Sequence, residues 1–229
     1  MGGTALGARV SAGAAPIAAG SLGVFGGTFD PIHFAHLAVA QEAAETLGLE
    51  RVLFVPAGQP PHKPDRSITA GADRLAMVEL AIAGNARFAV DRLELERAGP
   101  SYTVETLEAL HASRSAGGDT PHLTLVLSAE AFLGLTTWRE PRRVLELARV
   151  AVAPRDGYPL AGPAFMDEHF PDLAGRVVFL DGPRMRLSSS ELRRRAAAGR
   201  SLRYLVPDAV AAYIDDHALY RNPRRTIES

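Results

Sequence analysis

Residues 22–36 of the chain read LGVFGGTFDPIHFAH, and the order of residue types in this stretch predicts the fold. A short apolar run is typical of a buried strand, and it leads into Gly26 and Gly27, where the backbone can approach a ligand closely. Asp30 can cap the first turn of a following helix, and Pro31 suits the first helical position. Because a helix N-terminus offers unpaired N–H groups and the positive end of its dipole, this stretch predicts a phosphate site.

Two histidines, His33 and His36, follow three residues apart at the start of the predicted helix. Residues at this spacing share one face of a helix, so both imidazoles are expected to point at a ligand over its N-terminus. Two other ligand chemistries fit the pattern poorly. The chain has no cysteine and no HExxH pair for zinc, and the GxGxxG fingerprint of dinucleotide-binding folds does not occur.

A second candidate anion site lies near the C-terminus, where residues 185–195 read MRLSSSELRRR. Ser188, Ser189 and Ser190 precede a predicted helix and supply capping hydroxyls together with free N–H groups. Arg193, one turn further on, carries a forked guanidinium that suits phosphate oxygens. Taken alone, the same residues also fit an ordinary serine cap on a solvated, arginine-rich helix.

The composition of the 229-residue chain bounds its class, because 47% of the residues are hydrophobic and the formal net charge is −1. This is enough apolar sequence for one sizeable core, and the near-zero charge argues against a nucleic-acid or membrane-surface partner. The absence of cysteine excludes disulfides and thiolate chemistry and favours a cytoplasmic location. The first 21 residues are mostly Gly, Ala and Ser, so we expect a disordered tail over 1–21 and a single domain over 22–229.

Short apolar runs alternate along the chain with segments of helical periodicity. The pattern predicts strands over residues 22–25, 51–56, 88–96, 122–127, 150–153 and 176–180, and helices over 31–47, 70–83, 101–114, 141–148, 189–198 and 207–217. Apolar strands alternating with helices predict an α/β fold, a Rossmann-like, doubly wound, mainly parallel sheet with helices on both faces. In such sheets ligands bind beyond the carboxyl ends of the strands, where the glycine pair lies.

The first candidate site resembles a signature of the (T/H)xGH nucleotidyltransferase superfamily. Thr28 stands upstream, and His33 and His36 form the histidine pair. Ala35 departs from the family pattern, which usually has glycine there, and we treat it as a tuning change.

The C-terminal cluster is similar to the ISSTxIR signature of the same superfamily, with Leu187 and Leu192 for the two isoleucines and Ser190 for the threonine. Two matching signatures in the right order are much more specific than either one. Further segments resemble the nicotinate-nucleotide adenylyltransferase branch, namely Val55–Lys63, Asp73–Met77, Gly99–Leu107, Trp138 and Tyr204–Pro207. The resemblance covers nearly everything after residue 21.

This resemblance implies adenylyl transfer from ATP to nicotinate mononucleotide, with nicotinate adenine dinucleotide and pyrophosphate as products. It implies catalytic roles for His33, His36 and Arg193 at the phosphates of ATP. The other ATP-binding residues that it implies are Gly26, Gly27, Thr28, Phe29, Ser128, Glu130, Ser188 and Ser189. The mononucleotide is expected to contact Lys63, Ser101, Tyr102, Thr103, Thr106 and Trp138, the last as a stacking surface for the pyridine ring. Mg²⁺ is expected to be carried in with ATP, since the sequence shows no carboxylate cage for a tight metal site.

Two departures from the family pattern follow the fourth strand. Ser128, Ala129 and Glu130 stand where the family usually has Gly-Ala-Asp, although glutamate is long enough to reach a ribose hydroxyl. Arg139 follows Trp138 where relatives often have tyrosine, and it could pair with the nicotinate carboxylate. Two alternative functions stay open: a sister nucleotidyltransferase acting on nicotinamide mononucleotide or phosphopantetheine, and a non-catalytic nucleotide-sensing module. The sequence also leaves a homo-oligomer open.

Overall fold

A computed structural model describes residues 20–59, 68–115, 122–158 and 162–221. The strands in these residues are β1 (Leu22–Gly27), β2 (Arg51–Pro56), β3 (Phe88–Val90), β4 (Leu123–Ser128), β5 (Arg149–Ala153) and β6 (Val177–Phe179). They form one sheet in the order β3-β2-β1-β4-β5-β6, in which every neighbouring pair is parallel. The predicted doubly wound parallel sheet is therefore confirmed.

Helices connect the strands on both sides of the sheet. Those in the described residues are α1 (Phe34–Thr46), α2 (Gly71–Ile82), α3 (Leu93–Glu96), α4 (Thr103–Ser115), α5 (Ala129–Leu133), α6 (Pro141–Leu147), α7 (Pro163–His169), α8 (Ser189–Ala197) and α9 (Asp208–Asp216). Short 3₁₀ turns span Leu135–Thr137 and Pro171–Arg176. None of the described helices has both the length and the apolar character needed to cross a bilayer.

Each face of the sheet has its own core, because successive strand residues point to opposite sides. Phe25 and Phe54 are paired in register and pack with α1, α2, α8 and α9 on one face. Val24 and Leu53, their neighbours, pack with α4, α5, α6 and α7 on the other. Strands that are buried on both faces must be apolar throughout, which explains the continuous runs in the sequence.

The chain order reverses next to β1, which pairs with β2 on one side and with β4 on the other. Pairing with β2 runs along the whole of β1 as far as Gly27, whereas pairing with β4 covers only Leu22–Val24. Beyond Val24 the edge of β1 that faces β4 is therefore unpaired, and Gly26 and Gly27 lie at the carboxyl end of the strand. This is the crevice in which doubly wound sheets bind ligands.

Two predicted elements differ from the structure by three or more residues at one boundary. The strand predicted over 88–96 ends at Val90, and Leu93–Glu96 forms the helical turn α3. The side chain of Asp91 accepts a hydrogen bond from the N–H of Leu93 at 3.0 Å, which favours a turn over a continued strand. The helix predicted from Pro31 begins at Phe34 instead.

The start of α1 also corrects the roles predicted for Asp30 and Pro31, since Pro31 lies three residues before the first residue of the helix. Asp30 does not cap the helix, because its buried carboxylate accepts hydrogen bonds from the hydroxyl of Tyr220 and the N–H of Thr69. The backbone conformation with positive φ belongs to Phe29, at 49°, whereas Gly26 and Gly27 continue the strand. A Cβ at Gly26 would meet no atom within 4 Å, so this glycine leaves open space beside the backbone.

The predicted tail falls largely outside the described residues, which begin at residue 20. Ser21 is buried, and its carbonyl oxygen accepts a hydrogen bond from the N–H of Glu50 at 3.0 Å. Lys63 and the connection predicted over 115–120 also lie outside the described residues, apart from residue 115 at the end of α4.

Candidate active site

A cleft of about 490 Å³ opens at the carboxyl ends of β1, β4 and β5, and we call it the histidine cleft. The starts of α1 and α8 close it from the sides. The cleft brings together all the residues predicted to contact ATP, namely Gly26, Gly27, Thr28, Phe29, His33, His36, Ser128, Glu130, Ser188, Ser189 and Arg193.

The two histidines stack on each other at the start of α1. Their ring centroids are 3.7 Å apart with an interplanar angle of 20°. His33 occupies the N-cap position, and its backbone N–H donates to Nδ1 of His36 at 3.2 Å. Since Nδ1 accepts this hydrogen bond, the neutral ring of His36 carries its proton on Nε2. His36 therefore presents a fixed N–H donor.

Both imidazoles are uncharged at neutral pH. Burial, reinforced by the nearby charge of Arg155, lowers the pKa of His33 to about 4. Burial, followed by His33 and Arg155, holds the pKa of His36 well below its usual value. Nδ1 of His33 is buried and has no hydrogen-bond partner among the described residues, so this polar atom is one that a ligand would satisfy.

Phe29 supports the histidine pair from beneath. Its ring is 2% exposed and meets the rings of His36 and Phe25 edge-on, at 5.2 and 5.8 Å. The carbonyl oxygen of Thr28 accepts a hydrogen bond from the buried guanidinium of Arg74 at 2.9 Å. The side chain of Phe29 is thus part of the core, and only its backbone is left to face a ligand.

The second signature docks against the first. Ser188 caps α8 by accepting the N–H of Glu191 at 3.3 Å. The hydroxyl of Ser189 donates to the carbonyl oxygen of Pro31 at 3.0 Å, and Arg193 donates to that of Asp30 at 2.6 Å. Segments near opposite ends of the chain therefore form one wall of the cleft.

Across the cleft, Ser128 caps α5 by accepting the N–H of Ala131 at 3.3 Å. The carboxylate of Glu130 forms an ion pair with Arg155 at 3.1 Å, so it is already engaged. Arg155, which the sequence prediction missed, lines the cleft and acts on both histidines. Its position, as the first charged residue after β5, was the available signal.

A second cavity of about 420 Å³ lies on the other side of the glycine pair, and we call it the tryptophan pocket. It shares Gly26, Gly27 and Leu127 with the histidine cleft. Its lining includes five of the six residues predicted to contact the mononucleotide, namely Ser101, Tyr102, Thr103, Thr106 and Trp138. The sixth, Lys63, lies outside the described residues.

Two hydroxyl groups in the tryptophan pocket differ in their hydrogen bonding. The hydroxyl of Ser101 is buried and makes no well-aligned hydrogen bond with any described residue, although it lies close enough to the carboxylate of Glu94 to favour its charged form. The hydroxyl of Thr106 instead donates to the carboxylate of Glu94 at 2.7 Å. Thr103 begins α4, whose first turn presents backbone N–H groups at the same end of the pocket.

Arg139 is not free to pair with a carboxylate in this pocket. Its guanidinium forms an ion pair with Glu105 at 2.7 Å and a second with Glu140 at 3.8 Å. It also lies over the ring of Tyr102, 4.8 Å from the centroid. The hypothesis that Arg139 recognises the substrate carboxylate therefore has no support from the geometry.

Glu94 is a pocket residue that the sequence prediction missed. Its side chain is largely buried, and burial raises the pKa of its carboxyl group. A Cβ at Gly58 would lie 2.1 Å from the main-chain oxygen of Glu94, so only glycine fits there. It was missed because residues 88–96 were interpreted as one strand, whereas Leu93–Glu96 forms the helical turn α3.

No group of three His, Asp or Glu side chains in the described residues is arranged to hold a metal ion. The donors of the histidine cleft are imidazole, hydroxyl, guanidinium and backbone groups. Such a set suits an anion that brings its own cation better than it suits a resident metal.

Comparisons with known proteins identify the family of the chain. The cytidylyltransferase-like family model matches residues 24–195. A protein of Roseiflexus sp. (strain RS-1), named "Probable nicotinate-nucleotide adenylyltransferase", is 46% identical over 200 residues, covering 87% of this chain and 98% of that protein. A protein of Herpetosiphon aurantiacus with the same name is 46% identical over 201 residues, with the same coverage.

Solved structures share the fold at lower identity. The Plasmodium falciparum nicotinic acid mononucleotide adenylyltransferase complexed with NaAD has a TM-score of 0.69 at 17% identity, over 87% of this chain and 97% of that one. The same enzyme complexed with APC gives 0.68 at 17% identity, over 87% and 96%. The family match and the relatives show that the chain belongs to the cytidylyltransferase-like family and, within it, to the nicotinate-nucleotide adenylyltransferases.

Proposed function

We propose that the protein transfers the adenylyl group of ATP to nicotinate mononucleotide, giving nicotinate adenine dinucleotide and pyrophosphate. The observation that carries the proposal is the meeting of two differently built cavities at Gly26 and Gly27. One offers uncharged N–H donors and arginines, which suit a polyphosphate. The other offers hydroxyls and aromatic rings, which suit a nucleotide acceptor. The names of the relatives at 46% identity support the same reaction.

The reaction needs alignment more than it needs acid–base chemistry. A phosphate oxygen of the mononucleotide attacks the α-phosphorus of ATP, the bond to the bridging oxygen breaks, and pyrophosphate leaves with the electron pair. The attacking oxygen is already anionic, so neither a general base nor a covalent nucleophile is required. Holding the two reactants in line supplies roughly 7–11 kcal/mol, and donors fixed where charge develops supply more.

The histidine pair is assigned to the phosphates of ATP, together with Thr28. Its low pKa values mean that the imidazoles meet the polyanion as neutral donors, with Nε2–H of His36 fixed by the hydrogen bond on Nδ1. The orphaned Nδ1 of His33 supports a further ligand contact at this point. A bound polyanion favours the charged form of each ring and so raises both pKa values.

The start of α8 is assigned to the β and γ phosphates. Arg193 is partly exposed in the cleft and holds Asp30 with one nitrogen, while its other terminal nitrogen lies 3.3 Å from the hydroxyl of Ser190. Ser188 and Ser189 lie at the N-terminus of the helix, where backbone N–H groups and the helix dipole favour anions. Glu130 is assigned to the ribose, although it would have to exchange its ion pair with Arg155.

The tryptophan pocket is assigned to the mononucleotide. The half-buried ring of Trp138 is placed to stack on the pyridine, with Tyr102 on the same wall. The unpartnered hydroxyl of Ser101 and the first turn of α4 at Thr103 support recognition of the nicotinate carboxylate. Thr106 contributes to the wall of the pocket by holding the carboxylate of Glu94 with a hydrogen bond. The contact with Lys63 stays a prediction.

We further propose that Mg²⁺ enters with ATP, since the described residues offer no cage of their own and Mg²⁺ binds readily through phosphates and waters. Bound in this way, the cation would neutralise charge on the departing pyrophosphate. The absence of cysteine supports a cytoplasmic location for the reaction.

The test is pyrophosphate release from ATP and Mg²⁺ with three separate acceptors: nicotinate mononucleotide, nicotinamide mononucleotide and phosphopantetheine. We expect the highest kcat/KM with nicotinate mononucleotide. A higher value with either of the other two would make the protein a sister transferase. Binding of ATP without turnover on any acceptor would make it a nucleotide-sensing module.

A further inference from the structure

A buried carboxylate borders the histidine cleft at the place where a polyanion is expected. Asp30 is 3% exposed, and its two carboxylate oxygens have different partners. Oδ1 accepts the hydroxyl of Tyr220 at 2.7 Å, and Oδ2 accepts the N–H of Thr69 at 3.4 Å. Tyr220 comes from the segment after α9, so the far end of the described chain reaches the back of the glycine-rich loop.

Two arginines surround this carboxylate without pairing closely with it. Arg193 donates to the main-chain oxygen of Asp30 at 2.6 Å, while its guanidinium stays 3.9 Å from the carboxylate. Arg74 donates to the main-chain oxygens of Thr28 and Thr69, each at 2.9 Å. The loop is thus held by its backbone, and the charge of Asp30 is left to hydrogen bonds from neutral groups.

We propose that Tyr220 is a positioning residue for the nucleotide site, acting through Asp30 on Arg193. Its hydroxyl occupies Oδ1 and keeps the carboxylate turned toward the C-terminal segment. Without that hydrogen bond the carboxylate would satisfy itself by closing the 3.9 Å gap to Arg193. An Arg193 that is engaged by a carboxylate has less of its charge available for phosphate. The inference rests on the proposed function only in taking ATP phosphates as the ligand of Arg193.

The chain contains a matched control for this tyrosine. The hydroxyl of Tyr213, on α9, donates to the carboxylate of Asp73 at 2.9 Å. This is the same kind of hydrogen bond from the same part of the chain, but Asp73 lines neither cavity. Tyr213→Phe therefore removes a tyrosine–aspartate hydrogen bond without touching the nucleotide site.

The experiment measures the Kd of ATP with Mg²⁺ by calorimetry, in the absence of any acceptor, for the full chain and for Tyr220→Phe and Tyr213→Phe. Because no acceptor is present, an error in the proposed acceptor does not affect the result. We expect Tyr220→Phe to weaken ATP binding about tenfold, the size of effect that loss of a hydrogen bond to a charged group produces. Tyr213→Phe should leave the affinity within about twofold, because Asp30 borders the histidine cleft and Asp73 lines neither cavity. The KM for the mononucleotide should change by less than about twofold in both variants.

The same substitution in an Arg193→Ala background separates positioning from a general loss of structure. If Tyr220 acts through Arg193, adding Tyr220→Phe to that variant should weaken ATP binding by less than about twofold. A full tenfold loss in the Arg193→Ala background would overturn the proposal. Equal losses of affinity in Tyr220→Phe and Tyr213→Phe would also overturn it, because they would indicate only a change in stability. Wild-type ATP affinity in Tyr220→Phe would overturn it as well.

Discussion

The histidine cleft and the tryptophan pocket share the glycine pair of β1 but are built from different parts of the chain. The cleft joins the loop after β1 to the start of α8, residues about 160 positions apart, through Ser189 and Arg193. The pocket takes its polar and aromatic side chains from two stretches, residues 94–106 and Thr137–Arg139, and the rest of its lining comes from β1, β2, β4 and Ala57. The cleft therefore needs contacts between segments near opposite ends of the chain, whereas the lining of the pocket lies within residues 24–139.

The two cavities also treat charge in opposite ways. In the cleft, burial lowers the pKa of His33 and His36, and Arg193 holds a backbone oxygen in place of a carboxylate. In the pocket, Arg139 is paired with Glu105, and burial raises the pKa of Glu94. The cleft thus has donors ready for developing negative charge. In the pocket the charged side chains are engaged by neighbouring residues, so recognition is left to hydroxyl, backbone N–H and aromatic groups. The division suggests that the cleft governs kcat and the pocket governs acceptor KM.

The largest expected effect comes from removing the fixed donor of the cleft. His36→Ala should lower kcat about 10²–10³-fold, by analogy with other preorganised donors, while KM for either substrate changes less. His217→Ala is the control, since His217 is exposed, lines neither cavity and, within the described residues, contacts Tyr213 through its carbonyl oxygen and by ring stacking. Steady-state kinetics of both variants measure the effect. A fully active His36→Ala would mean that the histidine cleft does not contribute to catalysis as assigned.

The next effect tests the pocket through its substrate. Nicotinate mononucleotide should be used about tenfold to a hundredfold more efficiently than nicotinamide mononucleotide, measured as kcat/KM. The reason is that loss of the carboxylate leaves the donors at Ser101 and the first turn of α4 unpaired, which costs on the order of 1–3 kcal/mol. Equal efficiency on the two acceptors would mean that the pocket does not recognise the carboxylate.

A smaller effect is expected in the pH dependence of stability. The pKa of His33 is about 4 in the folded protein and about 6.5 in the unfolded chain. Between these values the unfolded chain binds more protons, so the free energy of unfolding falls as the pH falls through this window. Between pH 7 and 5, His33 should account for about 2 kcal/mol of that loss. Urea denaturation of wild type and His33→Gln at both pH values measures it, and equal losses in the two proteins would contradict the assignment.

The smallest effect concerns neither cavity. Deleting residues 1–19 should leave kcat/KM and the melting temperature nearly unchanged, because a segment rich in Gly, Ala and Ser buries too little apolar surface to order itself. The described fold begins beside this segment with buried Ser21, so the deletion stops before it. A fall of several degrees in melting temperature would show that the segment packs on the domain.

Local signals in the sequence predicted the sheet, and the residues that matched the two signatures lie close together in the structure. Apolar runs located all six strands, and the two signatures named residues that the fold brings into one cleft. What escaped prediction depends on contacts between distant segments. Arg155 enters the cleft only because β5 lies beside β4, and Asp30 fails to cap α1 because Tyr220 and Thr69 hold its carboxylate. Glu94 was missed because the helical turn α3 lies within residues 88–96, which were interpreted as one strand.

The most direct test of the account measures three constants side by side in His36→Ala and Trp138→Ala, namely kcat, the KM for ATP and the KM for the mononucleotide, with Trp138→Phe as the control that keeps an aromatic ring. Trp138→Ala removes a stacking surface that ground and transition states feel about equally, worth about 0.5–1.5 kcal/mol. It should raise the KM for the mononucleotide about threefold to tenfold with kcat nearly unchanged, whereas His36→Ala should lower kcat and leave that KM nearly unchanged. His36→Ala would then be impaired in kcat, and Trp138→Ala would be impaired in the KM for the mononucleotide. If both lost kcat alike, or if both kept normal kinetics and only unfolded at lower temperature, the division of work between the two cavities would be wrong.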